Sequence, residues 1–109
     1  MISVNFVRDK SGLIRKFTIM GHAGFEEAGR DVICSAVSAI AYTALGGMEE
    51  LVGILNHTEK DGFMKFYLPV DIEKDKEKTA RIILDTMAIG LKQIENSYGE
   101  YIEVIEEEV

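Results

Sequence analysis

The 109-residue chain holds one cysteine, one proline, two histidines and no tryptophan. A single thiol excludes any internal disulfide. Met1 to Arg8 alternates apolar and polar residues, where a signal peptide would set a basic region before an apolar block. A lone thiol without an export signal points to a reducing compartment, read here as the cytoplasm. Basic residues are also scarce, 12 Lys and Arg against 19 Asp and Glu, for a net charge of -7. No basic stripe is available to neutralise phosphates, so direct nucleic-acid binding is not expected. The same charge suits a basic partner, or solubility alone. Long apolar runs are missing too. Tyr42, Thr43, Glu49 and Glu50 interrupt the longest candidate, so no membrane span is expected.

What the chain does have is 47% apolar and 28% charged residues, the balance of a globular protein of one domain spanning 1–109. Ile2, Val4 and Phe6 alternate with polar positions as a strand. Asp9-Lys10-Ser11-Gly12 turns the chain, and Leu13, Arg15, Phe17 and Ile19 resume the alternation up to Met20, giving a hairpin. Residues 21–30 break the pattern with Gly21, Gly24 and Gly29 and read as a mobile loop. Asp31 is a suitable N-cap for a helix over Val32 to Val52, apolar nearly all round and therefore buried. Ala36, Ala39, Gly46 and Gly47 allow close approach of a sheet or a second subunit.

Ile54 to Glu59 and Phe63 to Leu68 flank Lys60-Asp61-Gly62 as a second hairpin. From Asp71 a second helix runs to Tyr98-Gly99, with Ala80, Ile83, Met87, Leu91 and Ile94 on one face. Tyr101 to Ile105 forms a last strand ahead of an acidic tail, Glu106 to Glu108. The order β-β-α-β-β-α-β predicts an α+β fold with two helices packed on one face of a mostly antiparallel sheet. The opposite sheet face is left bare, and a homodimer is one way to cover it.

The chemistry concentrates between Gly21 and Ser38. Cys34 is expected in the first turn of the helix, where unpaired N–H groups and the helix dipole favour a thiolate and supply donors for an oxyanion. His22 lies twelve positions earlier, at the start of a glycine loop able to fold back so that the imidazole meets the sulfur. Gly21 lets backbone or substrate come close. Ser38, one turn past Cys34, shares its face, and Asp31 can orient His22 as well as cap the helix. Each residue also has a plain reading. A lone cysteine in an apolar helix suits a small buried hydrophobe, Ser38 suits a bond to the carbonyl one turn back, and His57 reads as an ordinary strand residue. A redox-sensing thiol protein and a non-catalytic ribosome-associated module are the alternatives. The first lacks a resolving cysteine, and the second lacks basic surface for RNA. No further ligands stand at metal spacing around Cys34 and His22, so neither metal nor cofactor is expected.

Gly21-His22-Ala23, then Gly29-Arg30-Asp31, Val32-Ile33-Cys34 and Ser35-Ala36-Val37-Ser38 resemble the signature of the bacterial ribosomal-processing cysteine protease family, Prp. The resemblance implies a catalytic dyad of His22 and Cys34 with Asp31 and Ser38 in support. It also implies a homodimer, and as substrate the N-terminal extension of a large-subunit ribosomal protein, removed so that the ribosome can assemble. The loop from Ala23 through Gly24, Phe25 and Glu26 to Glu27 then covers the site and moves to admit the peptide.

Overall fold

Two hairpins, two long helices and one final strand build a five-stranded sheet with both helices on one side. The computed structural model describes residues 1–21 and 28–109, with side chains described for 1–21 and 32–109. Strand β1, Ile2–Arg8, pairs antiparallel with β2, Ile14–Met20. Helix α1, Ala28–Gly47, runs on into a wider π-helical segment, Met48–Val52. Strands β3, His57–Lys60, and β4, Phe63–Tyr67, form the second hairpin. Helix α2, Lys74–Tyr98, leads to β5, Ile102–Glu108. The strands lie in the order β3-β4-β2-β1-β5, and only β1 and β5 run parallel. The predicted α+β architecture is the observed one.

The alternation in β1 buries Ile2, Val4 and Phe6 under the helices. Opposite them on β2 stand Ile19 and Phe17. Phe17 lies between Phe6 and Phe66, at ring-centroid distances of 6.1 and 5.4 Å. The Asp9–Gly12 turn is held by the Asp9 carboxylate, which accepts from the Ser11 amide at 2.8 Å, the Ser11 hydroxyl at 2.6 Å and the Leu13 amide at 3.1 Å. These donors, the Ser11 hydroxyl foremost, hold the Asp9 carboxyl below its usual range. A bulge between Val7 and Arg8 puts Arg8 opposite Ile14 and Val7 opposite Lys16. Arg15 is the extra residue. It leaves the predicted apolar alternation and donates instead to the Leu68 and Pro69 carbonyls at 3.2 and 2.9 Å.

Helix α1 presents Ile33, Val37, Ala41, Ala44 and Leu45 to the core, and Met48 and Val52 extend the stripe. Contrary to the expectation above, Val32–Val52 meets the length and composition of a membrane span. In the fold, this periodic stripe packs against the sheet. Small residues bring the helices together, with Gly47 facing Ile83 and Gly90 facing Ile40. On α2 the buried residues are Ala80, Leu84, Met87, Ala88 and Leu91, with Ile83 and Ile94 half-buried at the margin.

Four predicted boundaries shift. Helix α1 starts at Ala28, so Asp31 lies within the helix and not ahead of it. Ala28 has the highest helix propensity, and an acidic residue is favoured by the dipole anywhere in the first turn. The β3 strand starts only at His57, because the Ile54 amide is still bonded to the Met48 carbonyl at 3.1 Å in closing the helix. Helix α2 starts at Lys74, with Glu73 extended ahead of it. The glutamate run is not a free tail but the end of β5, paired with β1 as far as Arg8 and Glu108. There Arg8 bridges Asp85 at 2.7 Å and Glu106 at 2.8 Å, and Lys92 also bonds Glu106. Lys92 first, and Arg8 after it, hold the Glu106 carboxyl below its usual range.

Candidate active site

Positions 34, 38 and 42 are spaced four apart, so one stripe of α1 carries Cys34, Ser38 and Tyr42. That stripe forms one wall of a groove of about 220 Å3 at the end of the sheet. Ile2, Ile19, Val37 and Met64 supply its apolar floor, and Gly21 with Glu59 to Phe63 closes the opposite side. Cys34 is half-buried. It borders both the core and the groove.

Two glycines hold the groove's mouth. Gly21 has φ of +101°, and a Cβ there would sit 2.4 Å from the Met1 carbonyl oxygen. No side chain fits, and positive φ would strain any other residue. The close approach expected at Gly21 is therefore made by the chain's own first residue. The Gly21 amide donates to the Gly62 carbonyl at 2.9 Å. This bond joins the end of β2 to the β3–β4 turn.

At the far end, the Tyr42 hydroxyl donates to the Glu59 carboxylate. The bond spans from α1 to the edge strand β3, and it raises the Tyr42 phenol above its ordinary pKa. Sequence reasoning missed this pair. The spacing of Tyr42 from Cys34 and Ser38 was a signal for the first member, whereas only the strand order brings Glu59 opposite.

Of the predicted site residues, the fold brings Gly21, Cys34 and Ser38 to one groove. His22, Ala23, Gly24, Phe25, Glu26 and Glu27 lie outside the described residues, as does the side chain of Asp31. Because α1 starts at Ala28, Cys34 sits in the second turn. The unpaired amides belong to the first four residues, and the dipole's effect fades within that turn. The expected oxyanion donors at Cys34 are thus displaced by a turn. Among the described residues, no three His, Cys, Asp or Glu side chains converge where a metal ion could be held.

The profile described as cysteine protease Prp matches residues 1–103. This chain belongs to the Prp cysteine protease family. It is similar to the ribosomal processing cysteine protease Prp of Bacillus subtilis, at 28% identity over 95% of this chain and 96% of that one. A Streptococcus mutans crystal structure superposes with a TM-score of 0.85 at 27% identity, covering 100% of this chain and 96% of the other. A Staphylococcus aureus Prp, solved with a covalently linked product peptide, gives a TM-score of 0.79 at 26% identity, covering 98% and 100%. Membership in Prp makes the chain a cysteine protease. Cys34 is the one cysteine in the sequence, and it lines the groove.

Proposed function

We propose that this protein is a cytoplasmic endopeptidase that removes the N-terminal extension of a large-subunit ribosomal protein and so supports ribosome assembly. The observation that carries this reading is the single thiol of a Prp-family chain at the wall of an open groove. Its relatives supply the substrate class. The Bacillus subtilis relative is a ribosomal processing protease, and the Staphylococcus aureus structure holds a product peptide.

In the mechanism, His22 takes the proton of Cys34 and the sulfur attacks the scissile carbonyl carbon. His22 then gives its proton to the leaving amine as the C–N bond breaks. Water, deprotonated by His22, hydrolyses the thioester and returns the thiol. Asp31 orients His22, Ser38 hydrogen-bonds the sulfur or the loop, and the loop Ala23–Glu27 closes over the peptide. The acidic charge of the chain favours encounter with a basic ribosomal protein.

The protein acts as a homodimer in this reading. The sheet face away from the helices carries Lys16 and Lys65 on one side and Glu103 and Glu107 on the other, in register with Val7, Thr18, Ser3 and Val7 of its centre. A two-fold axis along the strands lays each copy's lysines over the other's glutamates. Light scattering should give a dimer that Lys65→Glu weakens and Lys65→Glu with Glu103→Lys restores; a micromolar monomer in the wild type removes the dimer.

Mass spectrometry of the extended ribosomal protein after incubation with the wild type tests the substrate. Loss of one N-terminal fragment at a single bond is expected. An intact extended protein after prolonged incubation overturns the assignment.

A further inference from the structure

From Cys34 to Tyr42 is eight residues of helix, about 12 Å along the axis. An extended peptide advances roughly 3.3 Å per residue, so three or four residues fill that length. One end of the groove is the thiol. The other is the Tyr42–Glu59 pair, where a hydrogen bond crosses from α1 to β3. Between them the floor is apolar, formed by side chains such as Val37 and Met64. A substrate lying along α1 therefore meets apolar contacts between the two ends and the Tyr42-bound Glu59 carboxylate at the far one, with Lys60 and Asp61 also in the lining.

That carboxylate has capacity to spare. An ionised glutamate offers about four lone-pair positions, and the Tyr42 hydroxyl occupies one. Tyr42 fixes where the carboxylate points without neutralising it. The matching chemistry is a cationic side chain, lysine or arginine, reaching in from the peptide. We infer that Tyr42 and Glu59 form a substrate subsite for a basic residue three or four positions from the scissile bond. The inference rests on the peptidase reading above and adds a specificity determinant to it. Glu59 and Tyr42 are both exposed at the groove's rim, so a substrate side chain reaches them without any core rearrangement. For the same reason Glu59 variants should fold.

The test uses the full chain and peptides spanning the cut in the extended ribosomal protein. Each position from four before to four after the cut is set in turn to Lys, Gln or Glu. At one position, three or four residues from the cut, the wild type should prefer Lys over Glu by about tenfold in kcat/KM. Glu59→Gln should flatten that preference, and Glu59→Lys should reverse it at the same position while leaving the other positions unchanged. An identical order of Lys, Gln and Glu in all three proteins overturns the subsite and leaves the peptidase standing. No cleavage of any peptide by the wild type removes the peptidase reading and the subsite with it.

Discussion

The Gly21 amide and the Gly62 carbonyl, 2.9 Å apart, tie the end of β2 to the β3–β4 turn at the mouth of the Cys34 groove. Gly21 can make that bond because its backbone is free to take φ of +101° beside the Met1 carbonyl. It is the last described residue before His22. This one junction therefore fixes the backbone at the end of β2 and the mouth of the groove.

Gly21→Ala should be destabilised by more than about 1 kcal/mol, since positive φ and a backbone clash act together. Urea denaturation measures it. Activity should fall by more than the loss of folded protein explains, because the mouth of the Cys34 groove moves. An alanine variant with unchanged midpoint and unchanged cleavage would show that the junction tolerates a side chain.

Phe17→Ala should cost about 3–5 kcal/mol, because Phe17 lies between two other buried rings and its loss leaves a cavity in the centre of the sheet. A chain of this size has only about 5–15 kcal/mol in hand. A denaturant midpoint close to that of the wild type would mean that Phe6 and Phe66 collapse into the space.

Much of this fold was legible because its strands alternate cleanly. Ile2, Val4 and Phe6, and again Phe17 and Ile19, fall on the core face that their period predicts. The turn at Asp9–Gly12 was legible for the same local reason. What escaped depends on pairing between distant segments. The bulge that ejects Arg15 is set by β1 opposite β2. The inclusion of Glu106–Glu108 in a strand is set by β1 alongside and by Arg8 and Lys92. At the site, Cys34 and Ser38 could be placed together by helical spacing, while Glu59 reaches the groove only through the strand order β3-β4-β2-β1-β5.

Glu106 makes the molecule's stability depend on acid. Its carboxyl is held below its usual pKa near 4.5 by Lys92 and Arg8, so the contribution is full above that value. It is lost as pH falls through the lower, folded-state pKa. The pair is partly exposed and screened, so about 0.5–1 kcal/mol is expected. Glu106→Gln should melt about 2–4 °C below the wild type at pH 7. The gap should narrow as pH falls below the carboxyl's usual range and close once the folded-state carboxyl is also protonated. A gap independent of pH would assign the loss to packing and not to charge.

The proposed cleavage depends on the sulfur of Cys34. Wild-type, Cys34→Ala and His22→Ala proteins, each first shown to melt cooperatively, should be incubated with the extended ribosomal protein and the products weighed by mass spectrometry. The wild type should release one fragment, and an acid quench should catch that fragment as a thioester on Cys34. Both variants should release none. Cleavage by Cys34→Ala at the wild-type rate would contradict the mechanism outright.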